Sequence, residues 1–196
     1  MSLLDQLKQE VDTRKKAEEE IQQKIKARDE FYRKDMLPRM VNVYNYLDEL
    51  VKTLDYLDRD IRADYFIQGV GEFPDLRQSN YRLSVDSTQN MKRILLSFQC
   101  DKEGEVTELS LKGEKLIEQQ VSSLLGAKLE FDQKIRHTTS GRQKETTMIV
   151  KHFVPIAIVI EADVDTSEFS VRVHNLPKLG SSKQVLPAKD MNETFM

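Results

Sequence analysis

The chain has 196 residues, room for one ordinary domain plus an appendage, and its 39% hydrophobic, 32% charged and 7% aromatic content excludes a disordered chain. With 30 basic against 33 acidic residues the formal net charge is -3, which excludes a global field drawing the protein to nucleic acid or to an anionic membrane. The single cysteine, Cys100, excludes an intrachain disulfide framework and a Cys-rich zinc module.

The N-terminus reaches Asp5 and Lys8 before any apolar stretch forms, so no secretory signal is expected. The longest aliphatic run, Phe153 to Ile160, is far short of the ~20 residues that cross a bilayer. No membrane partner is expected, and the cytoplasm is the expected compartment. All seven glycines lie beyond residue 68, and Pro38 is the sole proline before that point. Residues 1–62 therefore read as a long helical arm.

A first helix, about Leu3 to Lys34, carries Leu4, Leu7, Val11, Ile21, Ile25 and Tyr32 at heptad-like spacing, but Arg14, Glu18 and Arg28 interrupt that seam. Acid precedes base at i,i+4 in Glu10/Arg14, Asp12/Lys16, Glu20/Lys24 and Glu30/Lys34. Each pair adds about 0.3 kcal/mol and favours a solvated helix. A second helix, about Arg39 to Arg62, has an unbroken stripe of Val43, Leu47, Leu50, Leu54, Leu57 and Ile61, widened by Met40, Tyr44 and Val51. Full burial of those six residues is worth on the order of 10 kcal/mol, so something must cover them. Pro38 either kinks one continuous helix or opens a new one with Asp35 as its N-cap, which leaves a kinked coiled-coil-like arm and a helical hairpin both open.

Residues 63–79 read as a linker. Their Gly69-x-Gly71 lacks the third glycine and the Lys-Ser/Thr of a phosphate loop, so a turn is expected there. From residue 80 to 176 the period changes to two. Tyr81–Val85, Ile94–Cys100 and the stretch through Leu109 and Leu111 read as a meander, with Lys102-Glu103-Gly104 as a turn. Gly113 opens a short helix with Leu116, Ile117, Gln120, Val121, Leu124 and Leu125 on one face, capped by Gly126. A hairpin about Ser140-Gly141 is registered by pairing Thr139 with Arg142, Ile135 with Thr146, Phe131 with Val150 and Leu129 with His152. That register sets Arg136 against Glu145 and Glu130 against Lys151. Pro155–Ala162 and Glu168–Asn175 form the last pair, the former apolar enough to have both faces covered. Residues 177–196 read as a polar tail, a loop before a frayed or helical end. The fold class is α+β: a helical arm, an antiparallel sheet of six to eight strands and one covering helix.

The chemistry-bearing residues do not gather. His137, His152 and His174 show no metal-ligand spacing, so neither a metal nor a cofactor is expected and no catalytic constellation is visible. Cys100 alternates with Phe98 and Leu96 and reads as a buried thiol. Lys134, Arg136, Arg142 and Lys144 make a basic hairpin able to touch phosphates, but no aromatic is interleaved for base stacking. The favoured role is a non-enzymatic interaction module that forms a homodimer or docks a protein partner through its arm, with the stripe Val43, Leu47, Leu50, Leu54, Leu57 and Ile61 as interface. A small apolar ligand held among Leu116, Val121, Phe98 and Val171 is the alternative, and nucleic-acid contact through the hairpin a second one.

Overall fold

The architecture is that of a computed structural model, which describes residues 3–137 and 144–191. The glycine-free N-terminal region carries one helix, not a hairpin. Helix α1 (Leu3–Phe31) passes through a wide π-type turn (Tyr32–Met36) into α2 (Leu37–Leu57). Pro38 explains the wide turn: it has no N–H, and its ring crowds the carbonyl four residues back. The Leu37 N–H instead reaches five residues back to the Tyr32 carbonyl, which opens the turn and clears the ring. Asp35 therefore caps nothing and pairs with Arg39 at 3.2 Å. Between Tyr32 and Met40 an ideal α-helix would overshoot two full turns by about 80°. The wide turn takes up most of that drift, and Tyr32, Met36, Met40 and Val43 are all buried on one side.

The helix ends at Leu57, short of the expected Arg62, because Asp58 adopts the left-handed conformation at φ 42°, one of the few non-glycine residues that tolerates it. Ile61 is consequently off the helix. Its carbonyl accepts from the Gln78 N–H at 2.8 Å and leads the chain into the sheet.

The stretch read as a linker is strand. Residues 63–79 lie in β1 (Arg62–Ile67), its turn, and the first half of β2 (Gly71–Val85). Gly69 sits in that turn at φ 80°, a conformation that favours glycine, with the end of the Gln120 side chain packed against it. There follow β3 (Arg93–Lys112), α3 (Glu114–Gly126), β4 (Phe131–His137), β5 (Lys144–Asp163), β6 (Glu168–His174) and β7 (Ser181–Pro187). The seven-stranded antiparallel sheet has the order β1-β2-β3-β5-β6-β7, with β4 pairing β5. The hairpin register expected from charge and apolar pairing is the one observed: Phe131 faces Val150, Ile135 faces Thr146 and Arg136 faces Glu145. Glu130 and Lys151 form an ion pair at 2.8 Å. The Thr139–Arg142 pairing lies outside the described residues. The tail differs in its first part, since Ser181–Pro187 pairs with β6 as an edge strand where a loop was expected; a short 3-10 turn follows at Ala188–Asp190.

One face of β5 organises the interior, because Met148, Val150, His152, Val154, Ile156, Ile160 and Ala162 are all buried and of one parity. The wide turn and helix α2 cover one end of that face, packing Met36, Met40 and Val43 with Ile94, Ile160, Phe169 and Val171. Helix α3 covers the other end, where Leu124 joins Phe73, Leu76, Met148 and Ile156. Strand β3 follows the bend through a bulge: Asp101 pairs with Phe153 and Val106 with Lys151, so residues 102–105 oppose a single residue. The inward parity of β3 switches across it, from Ile94, Leu96 and Cys100 to Thr107 and Leu109. The opposite face of β5 is not covered as its composition suggested. Ala157 and Val159 stay half-exposed there, with Glu161 between the guanidinium groups of Arg93 and Arg172.

Candidate functional site

Helix α1 projects from the body. Residues 8–31 are exposed without interruption, a free rod about 36 Å long at 1.5 Å per residue. The seam residues Val11, Ile21 and Ile25 are 49%, 55% and 46% exposed. The rod is tied to the sheet beside its root, where Arg28 Nη1 meets Asp165 Oδ1 at 2.5 Å, both exposed, a contact worth about 0–1 kcal/mol. From Tyr32 onward the same seam turns inward. The Tyr32 hydroxyl donates to the Met91 carbonyl at 2.7 Å, and Lys92 Nζ stands 5.5 Å over the ring.

The stripe proposed as an interface tapers along α2. Val43 belongs to the core and Leu47 packs against it. Leu50 and Leu54 are half-buried, Leu57 is exposed and Ile61 lies on the chain leading to β1. The sheet of the same chain thus covers the first half of the stripe. The weaker seam, broken by Arg14, Glu18 and Arg28, is the uncovered one, in keeping with the solvated first helix expected from the sequence. The signal was present in the run of i,i+4 acid–base pairs, which marks a helix facing water, and Glu10 and Arg14 do meet at 2.7 Å.

The most chemically structured place inside the body is beside the β3 bulge. His152 is buried, stacked on Phe73 at 3.9 Å between ring centroids, and its Nε2 lies 2.8 Å from the Thr107 hydroxyl. Its Nδ1 has no hydrogen-bond partner and faces Glu105 Oε1 at 3.9 Å. A cleft of about 350 Å³ between Lys102, Glu105, Lys151 and Phe153 opens next to it. Burial lowers the His152 pKa, with Glu105 working against that and Lys102 with it, so the imidazole is held neutral. The order hydroxyl, imidazole, carboxylate has the outline of a nucleophilic triad, but the outer contact is too long for a hydrogen bond, and the Glu105 carboxylate is held by Lys102 at 2.6 Å. Thr107 and Glu105 carry no mark in the sequence beyond the Lys-Glu-Gly-Glu run at 102–105.

The other expected site residues do not assemble. His174 is far along β6, with Nδ1 2.6 Å from the Ser181 hydroxyl and its pKa lowered by burial and then by Lys128. Among the described residues no group of three or more His, Cys, Asp or Glu is placed to hold a metal. Cys100 is buried, and burial pushes its thiol up to about 11. Of the basic hairpin, Lys134 is exposed on β4, positions 136 and 144 are on paired strands with undescribed side chains, and Arg142 lies outside the described residues. The four residues named for an apolar cavity are dispersed: Val171 packs with α2, Phe98 and the α3 residue Val121 border the other core cluster, and Leu116 is exposed. An open apolar groove of about 470 Å³ does exist between α3 and β4, walled by Ile117, Val121, Leu125 and Ile135.

Comparison of the chain with protein-family models, curated proteins and solved structures gives no match in any of the three. No helix is long and apolar enough to cross a membrane among the described residues.

Proposed function

We propose that the protein is a non-enzymatic interaction module that assembles through the seam of α1. The observation that supports this reading is the free rod: residues 8–31 stand clear of a body that buries the rest of the same helix. Single exposed aliphatic side chains are ordinary, and a lone helix of this length is marginal in water. A rod carrying Val11, Ile21 and Ile25 on one line, however, lowers its free energy by laying that line against another helix. The body then serves as the anchor that sets where the rod points. A second reading, a site for a small apolar ligand, is supported by the α3–β4 groove.

The test is the solution mass of the whole chain at micromolar concentration, by light scattering behind a sizing column. The parent is expected above its monomer mass. Ile21→Asp with Ile25→Asp, which leaves the core untouched, is expected to run as a folded monomer. A parent already monomeric would sink the reading.

A further inference from the structure

The residues that break the α1 seam say which partner fits it. In heptad terms the seam runs Val11, Arg14, Glu18, Ile21, Ile25, Arg28 and then the buried Tyr32. We propose that its partner is a second copy of this chain, running antiparallel about a two-fold axis near residue 16, so that the numbers of opposed seam residues add to 32 and those of opposed flanking residues to 34 on one side and 30 on the other. The proposal rests on the reading of α1 as the assembly surface and adds its orientation and register.

In this register Val11 meets Ile21 of the other copy, and Arg14 meets Glu18. By symmetry each pair occurs twice. The next positions out are 7 and 25, leucine and isoleucine in sequence. The two charges that looked like defects are therefore complementary to each other at the centre of the pair, where a lone buried charge would be costly and a matched one specifies alignment. Glu10 and Lys24 of the other copy are brought together at the flank, also twice. Lys15 meets its own copy across the axis, a like-charged contact on a long solvated side chain.

A parallel, in-register pair fails in the seam, since Arg14 would face Arg14, Glu18 would face Glu18 and Arg28 would face Arg28. Its flanks would be acceptable, with Glu10 near Lys15 and Lys24 near Asp29, so the seam and not the rim discriminates. The body gives a second, independent argument. The seam is continuous with the face of Tyr32, Met36 and Met40 that the sheet closes off, and Arg28 already touches Asp165 at its edge. A partner lying on the seam cannot continue past residue 31. A parallel copy would bring its own π turn, α2 and sheet to that point. An antiparallel copy carries its body away at the opposite end.

Cross-linking in the full chain decides it, with the parent as control because its Cys100 is buried. Val11→Cys and Ile21→Cys are made as separate variants and treated with a short bis-maleimide, alone and mixed. Covalent dimer in the mixture and in neither variant alone is the expected result, because 11 and its own copy are about 15 Å apart in the antiparallel register. Dimer from Val11→Cys alone would show a parallel pair and overturn the proposal while leaving assembly through α1 intact. No cross-link in any sample, together with a parent that runs as a monomer, would overturn both.

Discussion

The two halves of one helix meet opposite fates. Residues 8–31 and 32–57 lie on a continuous helix, yet the first is exposed throughout and the second buries Tyr32, Met36, Met40 and Val43 in the core. Helix propensity does not separate them, since both are glycine-free. The difference is the line of contact: 32, 36, 40, 43 and 47 are apolar without a break, whereas 14, 18 and 28 put charge on the same line. A sheet face built of Ile94, Ile160, Phe169 and Val171 offers no partner for the charges at 14 and 18, and Arg28 is met only by the exposed Asp165 at its edge, so the helix stays with the sheet only as far as its seam is apolar. The wide turn at Tyr32–Met36 marks the root of the rod and keeps the buried line facing the sheet.

The largest expected effect sets the halves directly against each other. Met40→Ala removes a fully buried side chain and should cost about 2–5 kcal/mol in chemical denaturation. Ile21→Ala, measured at a dilution where the chain is monomeric, should change stability by no more than about 0.5 kcal/mol. Similar losses at both sites would mean that α1 packs on the body and would erase the contrast.

A smaller effect sharpens it on the polar side. Asn175 is fully buried, sits at φ 58°, and donates from Nδ2 to the carbonyls of Ala127 and Pro155 while Oδ1 accepts from the Gly180 N–H. Its own carbonyl accepts from the Tyr65 hydroxyl at 2.9 Å, so one residue ties α3, β5, β1 and the β6–β7 loop. Asn175→Ala leaves the Tyr65 bond in place but strands the Ala127 and Pro155 carbonyls and the Gly180 N–H, and should cost about 2–3 kcal/mol. Arg28→Ala, which removes the exposed contact at the root of the arm, should cost about 0–1 kcal/mol. A thermal melt of each variant beside the parent checks both, and an unchanged Asn175→Ala would show that water replaces the side chain.

What was legible in the sequence follows from the same contrast between local and non-local causes. Alternation and cross-strand charge fixed the register of β4 on β5 residue by residue, because that hairpin is local. The change from helix to sheet was legible in glycine placement. The length of the second helix was not, since its end depends on Asp58 taking a conformation usually left to glycine. Residues 63–79 read as linker because Gly69, Gly71 and Pro74 outweighed the alternation of Tyr65, Ile67 and Phe73, all of them buried. Which apolar seam the sheet would cover could not be read from periodicity, for that depends on a surface assembled from strands over a hundred residues further on. The His152–Thr107 contact was hidden for another reason: the bulge at 102–105 reverses the inward parity of β3, and no alternation rule survives such a reversal.

The smallest expected effect uses pH, to which the two regions respond differently because all three histidines lie beyond residue 136 and none is in the arm. The His152 pKa is lowered by burial, with Glu105 opposing and Lys102 assisting, and the His174 pKa is lowered by burial and Lys128. In the unfolded chain each imidazole takes up its proton near the ordinary value of about 6.5, and in the folded chain only at lower pH. Between those two values the unfolded state holds more protons, so folding stability falls as the pH drops through that window and levels off once the folded state is protonated too. The groups facing His152 do not reverse the sign: Thr107 is neutral, and Glu105 is already engaged by Lys102. Denaturation midpoints taken from pH 7 down to about 5.5, above the range in which carboxylates titrate, should decline for the parent and decline less for His152→Phe, which keeps the stack on Phe73. Arm-mediated assembly in the same window should hold steady, since the arm carries no histidine. A parent whose midpoint is flat while His152→Phe is no different would show that the imidazole is solvated, and would remove His152 from the titrating groups that distinguish the body from the arm.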